Sequence, residues 1–210
     1  MSRTRADEPP RAWQRMLSGR RLDLLDPSPF DVEIEDIAHG LSRVARWNGQ
    51  TSGAWAYSVA QHSVLVERIA TSIDGTLARK WRLAALLHDG PEYVIGDMIT
   101  PFKAIIGPDY KAVDKRLSAA IHIRFGLPAE LPATVEKLIK RADRVAAYFE
   151  ATQIAGFDPA EARRIFGAPR VKQSVTIDPV GPEDAKTLYL KRFRMLAGVP
   201  ASKNGGVHDN

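Results

Sequence analysis

Hydrophobic residues recur at three- and four-residue intervals over most of the sequence. The segment from Glu33 to Trp47 shows the pattern clearly, with Ile34, Ile37, Leu41 and Val44 on one side. This spacing predicts an amphipathic helix. Acidic residues stand at the start of the segment and arginines near its end, an order that the helix dipole favours.

The same periodicity predicts further helices along the chain. They cover about 58–73, 77–89, 100–106, 109–125, 132–155, 158–166 and 182–196. The 77–89 segment is apolar nearly all round, so we expect it to be central. The β-like stretch Ser174–Ile177 is too short to found a sheet. The pattern therefore predicts an all-α fold.

The composition fits one globular domain with its own core. The chain has 210 residues, of which 44% are hydrophobic and 26% charged. Residues 1–12 and 200–210 are polar and rich in glycine or proline, so we expect disordered tails there. The domain is predicted to span residues 13–199.

The residue types that are missing narrow the chemistry. There is no cysteine, which excludes disulfides, thiolate metal ligands and cysteine nucleophiles. The sequence lacks any run of about 18 apolar residues and shows no signal peptide at its start. We therefore expect a soluble, cytoplasmic protein without membrane association.

The net charge of +5 favours anionic partners, either phosphorylated small molecules or nucleic acid. The basic residues are scattered along the sequence, whereas a nucleic-acid face needs a clustered stripe. The charge pattern therefore favours a solvated surface and a small-molecule partner.

Four ionisable residues interrupt apolar segments, namely His62, His88, Asp89 and Asp143. Taken alone, His62 also fits a core histidine bonded to a carbonyl group, and Asp89 also fits a helix N-cap. Asp143 shares a helical face with Val135 and Ile139. The neighbouring Arg141 and Arg144 are not at the spacing that brings helical side chains together, so Asp143 needs a distant partner.

Together these residues offer two imidazoles and two carboxylates from three helices, all predicted to face inward. Nitrogen and oxygen ligands of this kind suit Zn, Mn, Co, Ni or Fe in the divalent state. A five- or six-coordinate ion would keep places for water and a phosphate oxygen. The sequence therefore predicts a metal site that is open to chemistry.

The ordered pattern H…HD…D resembles that of the HD-domain phosphohydrolases, and within them the bacterial 5′-deoxynucleotidases. The segments that carry it are YSVAQHSVLV, AALLHDGPEYVIGDMITPFK and KRADRVAAYF, and the resemblance covers roughly residues 36–155. It implies a single-domain HD-type helical bundle. Gly90-Pro91 departs from regular helix geometry, which predicts a kink before Glu92.

Site residues follow from the resemblance. It implies the metal ligands His62, His88, Asp89 and Asp143, the catalytic residues Glu92 and Asp97, and the substrate-binding residues Arg43 and Lys103. The three remaining histidines match no ligand position, so we expect one divalent ion (Zn, Mn, Co, Ni, Fe or Mg).

The function that the resemblance implies is hydrolysis of nucleotides, with a metal-activated water releasing phosphate from (deoxy)nucleoside 5′-monophosphates. Two alternatives stay open. One is a dNTP triphosphohydrolase that releases tripolyphosphate, and the other is a nucleotide-binding sensor with a structural metal. The family also makes a homodimer an ordinary expectation.

Overall fold

The computed structural model describes residues 11–99, 105, 108–171 and 175–198. Eight α-helices lie in these residues: α1 (Ile34–Leu41), α2 (Val59–Ile73), α3 (Arg79–Leu86), α4 (Glu92–Ile95), α5 (Pro108–Arg124), α6 (Ala133–Gln153), α7 (Pro159–Phe166) and α8 (Pro182–Ala197). The predicted all-α, single-domain fold is confirmed. None of the helices in the described ranges has the length and hydrophobicity needed to cross a bilayer.

Short elements complete the described chain. Strand β1 (Trp13–Arg15) pairs antiparallel with β2 (Arg21–Asp23), and two 3₁₀ turns cover Pro29–Asp31 and Arg46–Gly49. The hairpin is an addition to what the sequence predicted. It does not change the fold class, because it contains three residues in each strand.

Helix α2 lies at the centre of the bundle and packs against α3, α6 and α8. Its apolar stripe, including Val59, Val66 and Ile69, is buried as the periodicity predicted. The helix begins after Ser58, whose hydroxyl accepts a hydrogen bond from the backbone N–H of Gln61. This N-cap satisfies one of the free donors of the first turn.

The first helix is shorter than predicted, because α1 ends at Leu41 instead of continuing to Trp47. Beyond it the backbone pairs with the segment that precedes α2: the Arg46 N–H donates to the Tyr57 carbonyl, at 2.8 Å, and Ala45 bridges Ser58. Trp47 then adopts a left-handed φ of 57°. These long-range backbone bonds replace helical ones, and they turn Arg46 and Trp47 away from the α1 axis.

The third helix is also shorter than predicted, because α3 ends at Leu86 and not at Asp89. His88 and Asp89 lie in a tight turn, in which the Gly90 N–H donates to the Leu87 carbonyl at 2.8 Å. A Cβ on Gly90 would lie 2.9 Å from that carbonyl oxygen, so only glycine fits the turn. The kink predicted before Glu92 is therefore a break between two helices.

Some predictions fall on segments outside the described residues. These are the 100–106 helix apart from Ile105, the terminal segments 1–10 and 199–210, and the substrate-binding residue Lys103. Residues 175–177 of the β-like stretch belong to no strand.

Gly40 allows α1 to approach α4 closely, and its replacement by alanine is expected to destabilise the fold. A Cβ on Gly40 would lie 2.8 Å from both the Cβ and the carbonyl oxygen of Tyr93. Such overpacking lowers the free energy of unfolding by about 1–3 kcal/mol. Thermal denaturation of Gly40→Ala measures this loss. Gly75→Ala is the matched control, because its Cβ would meet nothing within 4 Å; equal stability of the two variants would contradict the prediction.

Candidate metal centre

His62 is fully buried on α2, and its two ring nitrogens face different groups. Nδ1 lies 2.6 Å from Oε1 of Glu150. Nε2 lies 3.3 Å from Oδ2 of Asp89 and 3.3 Å from Oδ1 of Asp143. The Glu150 carboxylate accepts the Nδ1 proton, so this contact turns Nε2 towards the two aspartates.

His88 presents its ring in the same way from the turn after α3. Its Nδ1 lies 2.9 Å from the carbonyl oxygen of Ala85, which can only accept a hydrogen bond. Nδ1 therefore carries the proton, and Nε2 is left as a potential ligand. This Nε2 lies 3.2 Å from Oδ2 of Asp89.

Asp143 supplies the second carboxylate from α6. Its side chain is 41% exposed, so it lies on the open side of the cluster. Ligand atoms of His62, His88 and Asp143 all lie within 4.8 Å of one another. The predicted meeting of these three residues is confirmed, and Asp89 lies beside both imidazoles.

The spacing of these atoms fits a shared metal ion. Metal–ligand bonds of about 2.0–2.1 Å place neighbouring ligand atoms roughly 3.0–3.4 Å apart. The distances of 3.2–3.3 Å from imidazole nitrogen to carboxylate oxygen fall in this range. Both Nε2 atoms are buried and have no hydrogen-bond partner among the described residues. Because buried polar atoms are normally satisfied, these two nitrogens fit the role of ligands to a cation.

The charges of the cluster also favour a cation. Burial raises the pKa of Asp89, but His88 and His62 outweigh this effect and hold it well below its usual range. Burial likewise raises the pKa of Asp143, and His62 again outweighs it and lowers the pKa. The imidazoles therefore keep both carboxylates ionised, and ionised carboxylates are oxygen ligands that suit a divalent cation.

The pKa of His62 shows the same preference for positive charge. Burial and the Arg46 cation lower this pKa, yet the carboxylates of Glu150, Asp143 and Asp89 raise it well above its usual range. The surrounding oxygens therefore stabilise positive charge at the centre of the cluster.

Glu150 is a site residue that the sequence analysis missed. It is completely buried, and its Oε2 accepts a hydrogen bond from Nε1 of Trp47 at 3.0 Å. Burial raises the pKa of Glu150, but His62 and Arg46 outweigh it and lower the pKa. A carboxylate that holds a ligand histidine in this way fixes its orientation and tautomer. The available signal was its position seven residues, or two turns, after Asp143 on the same helix face.

Arg46 lies between the predicted catalytic residue Asp97 and Glu150, the carboxylate that holds His62. Its guanidinium lies 2.9 Å from Asp97 and 3.5 Å from Glu150, and its side chain is 15% exposed. Glu92, the other predicted catalytic residue, is buried in the first turn of α4.

Arg43 has different surroundings. Its guanidinium lies 2.5 Å from Glu183 on α8, and it also donates to the His39 carbonyl and the Ser42 hydroxyl. These partners do not belong to the cluster. Among the described residues, Arg46 is the arginine that contacts Glu150, the partner of His62. The substrate-binding role of Arg43 stays a prediction.

Fold and site define a mainly helical protein with a histidine–aspartate cluster that could hold a metal ion. No family model matches the chain. It is 67% identical over 188 residues to the uncharacterized protein RCAP_rcc00048 of Rhodobacter capsulatus, covering 89% of this chain and 96% of that protein. It is 29% identical over 167 residues to the uncharacterized protein YfdR of Escherichia coli K12, covering 80% and 85% of the two chains. The chain belongs to the same family as the Rhodobacter capsulatus protein.

Proposed function

We propose that the chain is a metal-dependent phosphohydrolase of the HD-domain kind, which releases phosphate from (deoxy)nucleoside 5′-monophosphates. The observation that supports this most is the pair of buried Nε2 atoms, on His62 and His88, that face aspartate oxygens without a hydrogen-bond partner in the described chain. A purely structural ion is usually enclosed by its ligands. Here the 41% exposed side chain of Asp143 opens the cluster to solvent, where a substrate can approach.

His62, His88, Asp89 and Asp143 would hold the ion. A divalent ion in such a site would lower the pKa of a bound water to about 7 and polarise a phosphoryl oxygen. The protein contributes the orientation of its ligands, and Glu150 and the Ala85 carbonyl secure the two imidazoles.

Proton transfer is assigned to the carboxylates beyond the ligands. Asp97 is proposed to act as the acid at the leaving oxygen, with Glu92 as the second proton carrier. Asp97 accepts a hydrogen bond from Arg46, which also contacts Glu150. The position of Asp97 is therefore coupled to the carboxylate that holds His62.

The phosphate group requires cations. Arg43 is proposed to bind it, and in the structure the Glu183 carboxylate takes the place of such an anion. An exposed ion pair of this kind is worth only about 0–1 kcal/mol, so a phosphate dianion can displace Glu183. Lys103 is the second predicted substrate-binding residue.

A product assay tests the proposal. The chain is loaded in turn with Mn, Co, Zn, Ni, Fe and Mg and offered nucleoside mono- and triphosphates. We expect inorganic phosphate from dAMP with at least one of these ions, and its loss in Asp89→Ala. Tripolyphosphate from dATP would instead identify a triphosphohydrolase, and nucleotide binding without turnover would identify a sensor. If Asp89→Ala left phosphate release unchanged, the proposed role of the cluster in hydrolysis would be wrong.

A further inference from the structure

A second feature of the molecule is a basic cavity on the flank of α6, facing the end of α7. Its volume is about 380 Å³. Five cationic side chains line it: Lys137, Lys140, Arg141, Arg144 and Arg170. Val145 and Phe166 add apolar surface, and none of the described residues that line the cavity is acidic. We call it the basic cavity below.

The cations of the basic cavity have no counter-ion in the described part of the chain. Among the described residues, none of the five takes part in an ion pair or a hydrogen bond. Lys115, by contrast, is an exposed cation that is paired, with Glu130 at 2.7 Å. Four of the five are three or four residues apart on one helix, where like charges destabilise each other. A bound anion would relieve this repulsion.

The basic cavity is separate from the candidate metal centre, with which it shares no residue. Both use α6. At 3.6 residues per turn, the four α6 cations lie roughly 60–160° around the helix from Asp143, with Lys140 nearest and Arg141 farthest. An anion held by these cations would therefore occupy a place other than the centre.

We propose that the basic cavity binds a small polyphosphate ester, with its phosphates on the cations and its apolar part against Phe166. The volume is within the range of about 300–1,000 Å³ that is usual for small-molecule sites. The four α6 cations span eight residues, a rise of about 10 Å along the helix, so they can contact several phosphates of one molecule. A nucleic acid would need a longer stripe than one cavity offers.

Isothermal titration calorimetry tests the proposal. The full chain is titrated with inorganic tripolyphosphate and with ATP in a chelating buffer, and Kd is measured. We expect one site, which Asp89→Ala retains because the metal centre is not involved. Lys137→Glu/Arg141→Glu is expected to raise Kd by at least about tenfold, since each reversal turns an attraction into a repulsion. Because both side chains are exposed and unpaired among the described residues, the variant should fold, as circular dichroism would verify.

Lys111→Glu/Arg116→Glu is the matched control, because it makes the same change of charge on exposed positions of α5. The proposal requires that this variant keep the wild-type Kd. If both double variants raised Kd equally, the binding would reflect the overall positive charge of the protein and not a site in the cavity. Loss of binding in Asp89→Ala would show that the anion binds at the candidate metal centre and not in the basic cavity. Tighter binding of a 12-nucleotide single strand through Lys137 and Arg141 would favour a nucleic-acid interface and overturn the proposal. None of these binding results changes the expected outcome of the phosphate-release assay, so the two proposals can fail independently.

Discussion

Replacement of Asp143 by alanine is expected to abolish metal binding and to lower phosphate release by about 1,000-fold or more. The variant removes one of the two carboxylates whose oxygens lie 3.3 Å from Nε2 of His62. A catalytic metal stabilises the transition state by several kcal/mol, and about 4 kcal/mol corresponds to 1,000-fold in rate. Metal content after gel filtration, together with turnover of dAMP, measures both effects.

The fold should survive this substitution, because the Asp143 side chain is 41% exposed and points to the open side of the cluster. Glu136→Ala provides the matched control: it removes an exposed carboxylate from the same helix, away from the cluster. We expect Glu136→Ala to retain its metal and activity. A metal-replete, active Asp143→Ala protein would show that the cluster is not the metal centre.

Replacement of Glu150 by glutamine is expected to weaken metal binding by about 10–100-fold, the range seen when the partner of a ligand histidine is changed. Glutamine keeps the size of the side chain but loses the charge and one acceptor oxygen. It cannot accept at both ends from His62 and Trp47, as the carboxylate does. The Nδ1 proton of His62 then loses its fixed place, and Nε2 is no longer held as the free ligand atom. Competition with a chromophoric chelator measures the affinity, and nitrogen NMR of the imidazole reports the tautomer.

Glu67→Gln is the control for this prediction, because Glu67 is equally buried but lies outside the cluster. Its carboxylate accepts hydrogen bonds from Arg82 at 2.8 Å and from Arg192. Breaking a buried ion pair lowers stability by roughly 3–5 kcal/mol. We therefore expect Glu67→Gln to be less stable and to bind metal as the wild type does. If Glu150→Gln lost stability without losing metal affinity, Glu150 would be a structural residue only.

Helix periodicity was enough to predict most of the bundle. Helices α2, α5, α6, α7 and α8 lie within two residues of the predicted ranges at each end. Their apolar stripes are long, and caps such as Ser58 and Asp158 mark where they begin. The inward position of His62 followed from the same stripe, and that of Asp143 from its place beside Val135 and Ile139.

The ends of α1 and α3 could not be predicted in this way. Their apolar spacing continues past Leu41 and past Leu86, so a local pattern gives no reason to stop. The end of α1 is followed by a backbone bond from Arg46 to Tyr57, which lies in the segment before α2, and the end of α3 is followed by the tight turn in which Gly90 donates to the Leu87 carbonyl. Neither bond belongs to the apolar spacing of the helix that it follows.

The local pattern of residues therefore specified the helical class, the buried face of α2 and the residue types that meet in the candidate metal centre. Tertiary structure alone decided which groups secure those ligands. Glu150 lies 88 residues from His62, and Arg46 lies 51 residues from Asp97. Periodicity describes how one segment presents its side chains, whereas the orientation of an imidazole depends on a partner that another segment brings within hydrogen-bond distance. The four proposed ligands can be found along the chain, but the geometry that makes them a centre exists only in the folded bundle.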